Sequence, residues 1–447
     1  MKIAIVGTGI SGMVAAYLLH RDHEITVFEA ADYIGGHTNT VEVPMEDRGY
    51  AIDTGFIVFN ECTYPNFIAL LKKLGVESQP SNMSFGVKCE RTGLEYNGTS
   101  LNTLFAQRRN LLRPSFYRMI RDILRFNRES LELLTLTEPG PSLGSYVETH
   151  RYSREFIEHY MVPMGAAIWS ASHEDMWKFP ARYLVQFFKN HGMLSVDERP
   201  TWRVIKGGSQ RYAEKLIAPF RHRIYLNSPV ESIERFPDYA EIRTKMQGRN
   251  YCALRFDHVI MATHSDQALT ILADPSPTEK EVLGAIHYQE NEAVLHTDTS
   301  LLPKRKLAWA AWNYHLLEAQ PDRAVLTYHM NKLQSLTAPC EFCVTLNHTQ
   351  AIHPTKILCR ITYHHPVYSP EAVAAQRRHG EINGVNRTSY CGAYWGFGFH
   401  EDGVNSALAV CKPLGKDLSS SRARSILDTF GTGDSAQFRT RSPTGCS

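Results

Sequence analysis

Gly7, Gly9 and Gly12 form a G-x-G-x-x-G turn between an apolar run and a helical one. That spacing handles phosphate by leaving backbone bare. Gly7 permits a tight turn out of a strand, Gly9 lets a pyrophosphate approach the main chain, and Gly12 lets the helix lie close to the strand. Ile10 and Ser11 open that helix, whose positive end then faces the anion. Glu29 stands 22 residues beyond Gly7, where a carboxylate can accept hydrogen bonds from ribose hydroxyls, and Ala30 follows it.

The flanking elements must present these groups. Residues 2–6 (K-I-A-I-V) read as a buried parallel strand, residues 13–20 as a helix packing Ala15, Ala16, Leu18 and Leu19 on a sheet, and residues 24–28 (E-I-T-V-F) as a second strand. An isolated glycine turn can be ligand-free. Strand, helix, strand and acid in this order predict a dinucleotide site.

Three further stretches bear on which dinucleotide: Gly35-Gly36-His37-Thr38, Asp53-Thr54-Gly55-Phe56, and the run from Gly392 through Trp395, His400, Glu401, Asp402 and Gly403 to Val404. They resemble the flavin amine oxidase and phytoene desaturase superfamily, which includes protoporphyrinogen oxidase. Residues 1 to about 415, with Trp202-Arg203-Val204-Ile205-Lys206-Gly207-Gly208, are most similar to a bacterial subfamily of predicted NAD/FAD-binding oxidoreductases. The resemblance implies FAD, a turn at Gly35–Thr38 lining its phosphates and ring, and a helix after Gly392 aimed at the flavin N1/O2 edge. It further implies that Gly207-Gly208 opens a second nucleotide-domain segment, that Val230 offers its backbone to the adenine, and that residues 257–262, ending at Ala262, return to the nucleotide sheet. Two residues depart from the pattern. His37 stands where many relatives have arginine, and Ala393 where many have an acid, so Glu401 or Asp402 is expected to take over polar contacts. The cysteine of a covalent flavin link lacks its Gly-Gly-Cys-Tyr context at Cys391, so non-covalent FAD is expected.

The expected fold class is α/β: a Rossmann-type FAD-binding domain, a parallel sheet with helices, plus an inserted α+β substrate domain. The FAD domain is predicted at about 1–80, 200–270 and 385–415, and the substrate domain at 81–199 (helix-rich) and 271–384 (strand-rich), with a flexible Ser/Thr/Gly-rich tail at 416–447. The chain's 447 residues suit roughly two domains and a large core. A hydrophobic content of 43% and charged content of 21% are those of an ordinary globular enzyme, and a net charge of +2 argues against a nucleic-acid partner. Nine scattered cysteines point to a reducing compartment. No signal peptide is expected before the first strand. No apolar run reaches the ~20 residues of a membrane span; residues 161–169 come nearest, and Pro163 interrupts them. A cytoplasmic protein is expected, with a peripheral place at the inner membrane face left open.

That alternative comes from residues 104–130. Arg118, Arg121, Arg125 and Arg128 share one helical face, Ile120, Ile123 and Leu124 another, Arg108, Arg109 and Arg113 precede them, and Pro114 marks the helix start. Residues 108–128 read either as a solvated basic face or as a helix lying on an anionic membrane. Cys340, Cys343, His348 and His353 have zinc-knuckle-like spacing, but alternation through Phe342, Val344 and Leu346 reads as a strand, so no metal is expected. His364-His365 before Pro366 reads as a strand end or loop. Trp309 and Trp312 read as core, with a tunnel lining as the alternative.

The expected activity is dehydrogenation of a C–H bond in a hydrophobic substrate (lipid acyl or isoprenoid) or an amine, with hydride passing to flavin N5. His400, as proton donor or acceptor beside the ring, and Trp395 are the candidate catalytic residues. A redox-neutral flavin isomerase and a non-catalytic FAD scaffold in lipid modification are the rival readings. No second G-x-G-x-x-G provides a separate nicotinamide domain.

Overall fold

A computed structural model describes residues 1–136, 140–195, 200–245, 252–319 and 322–418. Most of the tail expected at 416–447 therefore lies outside the described residues.

The apolar run at the start forms β1 (Lys2–Val6), followed by α1 (Ile10–Leu19) and β2 (Glu24–Phe28). β1 is central because Ile3 to Val6 are buried on both faces. It pairs in parallel with β2 (Ile5 opposite Val27) and with β3 (His258–Met261; Ile5 opposite Ile260). Ile224–Tyr225 and Thr388–Tyr390 add the two edges, giving a five-stranded parallel sheet. One face packs on α1 and neighbouring helices through Ile5, Val14 and Val404, the other on a layer containing Ile233, Ile242 and Leu283.

Residues 29–223 separate β2 from its outer neighbour, and residues 262–387 separate β3 from its own. Strands from both intervals join one seven-stranded sheet. At its junction Phe85–Cys89 runs parallel to Trp312–Leu316, Phe85 opposite Trp312. Helices among residues 101–190 cover it through Phe116, Phe126, Phe156 and Phe188.

The long edge strand of that sheet, β4 (Ile357–Val367), pairs with His287–His296 and carries His364, His365 and Pro366. His364 and His365 lie near the C-terminal end of this strand, one of the two expected placements, and the strand continues through Pro366 to Val367. An edge position tolerates proline because its missing N–H is not needed by a second neighbour. Cys343–Leu346 is a strand of the same sheet, as its alternation suggests. Among the described residues no group of three or more His, Cys, Asp or Glu is placed to hold a metal.

Pro114 does open a helix, Pro114–Glu129. Its buried face, however, is Phe116, Met119, Asp122 and Phe126, while Leu124 is 45% exposed, so the apolar stripe first read through Leu124 points outward there. Near the C-terminal end of the described chain, α2 (His400–Cys411) lies against α1. Among the described residues no helix is long and apolar enough to cross a membrane.

Candidate functional site

A cavity of about 630 Å³ runs from the β1–α1 turn to the inner face of the seven-stranded sheet. That is the size of a small-molecule or cofactor cleft. The glycines shape its floor. Gly7 has φ +102°, and a Cβ there would come 2.7 Å from the Ala262 carbonyl oxygen. A Cβ on Gly12 would come 2.1 Å from the Gly7 oxygen, so this residue closes helix onto strand. A Cβ on Gly9 meets nothing within 4 Å, which leaves open space above the start of α1 for a ligand's phosphates.

Glu29 accepts hydrogen bonds from the Thr8 amide (2.8 Å), the Thr8 hydroxyl (2.5 Å) and the Ala31 amide (3.0 Å). Its carboxylate is thus held at the cavity wall beside Ala30, and Val230 lines the same end. Gly35 (φ +130°) donates its amide to the Thr8 hydroxyl, and Gly36 and His37 continue the wall. Gly55 packs so tightly on His37 that a Cβ would meet its carbonyl oxygen at 2.3 Å. The Thr54 hydroxyl lies 2.9 Å from the Tyr363 hydroxyl, behind the lining.

Phe56 and His400 close the deep side. The His400 Nε2 is 2.9 Å from the Tyr212 hydroxyl and 3.1 Å from that of Thr38, which themselves lie 2.5 Å apart. Burial holds the His400 imidazole well below its ordinary pKa, so it is neutral and its outer nitrogen is already engaged. This places His400 as a fixed wall residue rather than a free proton carrier.

Five residues of the C-terminal motif lie outside the cavity lining. Trp395 does not line the cavity; it packs against His379 (4.3 Å) and Tyr394 in the layer beyond the sheet. Glu401 accepts from the Asn66 and Phe67 amides (3.0 and 2.8 Å) and caps the helix Pro65–Leu74. Asp402 accepts from the Phe399 amide at 3.0 Å and caps α2, burial pushing its carboxyl up to about 7. Neither carboxylate lines the cavity. Gly403 and Val404 join helices instead: a Cβ on Gly403 would lie 2.6 Å from Ile10 Cγ2, and Val404 is core. Gly392, Ala393 and Tyr394 do face the cavity.

Of the far wall, Trp312 was anticipated as a tunnel lining and the rest was not. Ile168, Trp169, Trp312, Tyr328, Tyr368 and Phe397 build it, so Trp312 lines the space while Trp309 donates to the Pro303 carbonyl (2.7 Å) and does not. Trp312 Nε1, Tyr368 OH, Tyr394 OH and His37 Nε2 are buried without a hydrogen-bond partner, although all four residues line the cavity. Buried donors are rarely left so, and a polar ligand would satisfy them. Among the described lining residues there is no lysine or arginine, and Glu29 is the single acid.

An open glycine cradle, a helix N-terminus, a carboxylate 22 residues on and unpartnered donors along one cleft define a dinucleotide-binding α/β protein, and these residues fit FAD. The comparisons agree. The model of the family described as flavin containing amine oxidoreductase matches residues 10–413, and the chain belongs to that family. It is 40% identical over 78 residues to zeta-carotene desaturase of Solanum lycopersicum, covering 17% of this chain and 13% of that protein. It is 22% identical over 325 residues to an L-amino-acid oxidase of Bothrops jararacussu, covering 67% of this chain and 60% of that one. The matches thus span less than two thirds of these relatives. Among solved structures, cyclohexylamine oxidase from Brevibacterium oxydans superposes with a TM-score of 0.65 at 17% identity, over 93% of this chain and 99% of the other. The description of that family names a flavin and oxidoreduction.

Proposed function

We propose that this chain is an FAD-dependent oxidoreductase that dehydrogenates a hydrophobic substrate, a lipid acyl or isoprenoid chain, with an amine as the second substrate class. The observation that carries this reading is the far wall of the cavity. It is aromatic and aliphatic apart from the Trp312 and Tyr368 donors, and the single carboxylate of the lining, Glu29, is not part of it. An apolar chain would gain burial there without any charge to desolvate.

On this reading Gly9 and the start of α1 receive the pyrophosphate, Glu29 the ribose, and Val230 the adenine. Gly392 to Tyr394 border the ring. Bound flavin supplies a hydride acceptor. The chain's own part is to hold the reacting carbon and to exclude water, for which Trp169, Tyr368 and Phe397 are placed. Cys391 is fully buried, its thiol pushed well up by burial, and it does not line the cavity, which supports non-covalent binding.

Residues 101–136 supply the partner surface. Seven of the thirteen exposed large hydrophobics of the described chain fall there, Leu112 at 88% and Leu101 at 77%, beside exposed Arg108, Arg109, Arg118 and Arg128. Apolar tips ringed by arginine suit an anionic membrane from which such a substrate would come.

The test is product analysis: holoenzyme with acyl or isoprenoid lipids, and separately with aliphatic amines. A lipid product lighter by two hydrogens supports the reading. Conversion of amines alone would overturn it, and a product of unchanged mass would show isomerisation.

A further inference from the structure

Four histidines from three separate segments face one another across the phosphate end of the cavity. The His37 ring centroid is 5.4 Å from that of His365 and 6.3 Å from that of His264, which in turn is 6.2 Å from that of His364. All four line the cavity.

Two contacts fix this cluster beside the glycine turn. A Cβ on Gly36 would come 3.3 Å from the Gly9 Cα, so the residue before His37 abuts the point of phosphate approach. A Cβ on Gly7 would strike Ala262, two residues before His264. A dinucleotide pyrophosphate brings two negative charges to this place. The α1 N-terminus offers roughly half an elementary charge. The lining has no lysine or arginine, so imidazoles are the side chains there that can become cationic.

We propose that His37, His264, His364 and His365 form a titratable clamp that takes up a proton when the FAD pyrophosphate enters, so that flavin retention weakens as pH rises. The proposal rests on the flavin reading above.

Three of the four rings are held neutral by their surroundings. Burial, reinforced by mutual repulsion, pushes His37 and His365 down to about 3 and His264 to about 4. An adjacent dianion reverses the sign of that environment. His37 Nε2 is buried and unpartnered, free to donate. His365 Nδ1 lies 3.1 Å from the Asn291 amide nitrogen, a donor, so the remaining proton of His365 sits on Nε2. The other groups facing the cluster do not supply fixed positive charge. Tyr363 stacks on His37 at 4.8 Å and Tyr288 on His264 at 4.4 Å, each phenol kept protonated by burial. Glu290 lies 3.9 Å from His364, and Arg323 shares that carboxylate at 3.9 Å. Asp266 acts on Tyr288, and His400 feels His37 but stays neutral. Tyr33 stands beside the cluster, its hydroxyl donating to the Gly36 carbonyl at 3.2 Å, and Glu29 is engaged by Thr8 and Ala31.

The test uses the holoprotein. It is diluted between about pH 6 and about pH 8.5, where imidazoles titrate, and released FAD is read by its fluorescence, with far-UV circular dichroism as the check on folding. Uptake of one proton predicts a dissociation constant rising about tenfold per pH unit between the free-state and bound-state pKa values and levelling off above the latter. His37→Arg should retain FAD with a flattened pH dependence, and His365→Gln should reduce the slope. A dissociation constant unchanged across the range, or the wild-type slope in both variants, would overturn the clamp while leaving the flavin reading intact. Protein that holds no FAD at any pH would overturn both.

Discussion

The imidazole of His400 lies face to face with the ring of Phe56, centroids 3.4 Å apart and planes 13° from parallel. This stack ties the loop after Asp53 to the start of α2, and both residues line the cavity. With Nε2 taken by Tyr212 and Thr38, the ring positions rather than titrates.

His400→Gln should therefore leave the shape of the kcat/KM pH profile unchanged near neutrality. It should cost about 1–3 kcal/mol of stability, because a buried hydroxyl loses its partner. Loss of an ionisation from the profile would instead make His400 a proton carrier.

The three glycines of the first turn should separate experimentally. Gly9→Val, at φ −59° and with open space where its side chain would go, should fold normally yet lose at least about tenfold in FAD affinity, by blocking phosphate approach. Gly12→Ala should destabilise the fold itself by about 1–3 kcal/mol or more, since its Cβ meets backbone at 2.1 Å. Urea midpoints and flavin titrations distinguish the two.

Asp402 and Asp53 are both held protonated beyond their ordinary range, burial pushing them up to about 7 and about 6. A carboxyl whose folded pKa exceeds its unfolded one binds more protons when folded, so stability falls as pH rises between the two values. Stability should decline from about pH 4 to about pH 7 through these groups. Asp402→Asn should flatten that decline, as read by denaturation at pH values spanning the window.

Arg235 and Glu279 form an ion pair at 2.5 Å with both side chains 2% exposed, and Tyr390 donates to the same carboxylate. The pair links the layer behind the parallel sheet to its edge strand Thr388–Tyr390. Glu279→Ala, which leaves a buried guanidinium with only Asp274, should cost about 3–5 kcal/mol. A change under about 1 kcal/mol would mean that solvent reaches the site.

Leu111 and Leu112 are 47% and 88% exposed just before the arginine-bearing helix. Replacing both by Asp should abolish co-sedimentation with anionic vesicles and leave thermal stability within about 0.5 kcal/mol, as expected of surface sites. Equal binding by the variant would rule out this face as the membrane contact.

The nucleotide half of the fold was legible because its signals are local. Period, bare glycines and the terminal acid lie within 29 residues, and backbone geometry leaves few alternatives. The C-terminal motif was legible in position but not in direction. Glu401 is claimed by amides 335 and 334 residues away in sequence, and Trp395 turns to the opposite side of the sheet. The histidine cluster and the aromatic far wall draw on segments that meet only in the tertiary fold. His364 and His365 were further obscured by Pro366, which an edge strand accommodates.

The most direct test of the central claim is the visible spectrum of the purified protein, followed without oxygen as a phospholipid extract is added. An oxidised flavin spectrum is expected, bleaching on lipid addition and returning on readmission of an acceptor. A flavin spectrum that ignores lipid but bleaches with amines would contradict the substrate assignment, and no flavin even after FAD is supplied would contradict the claim itself.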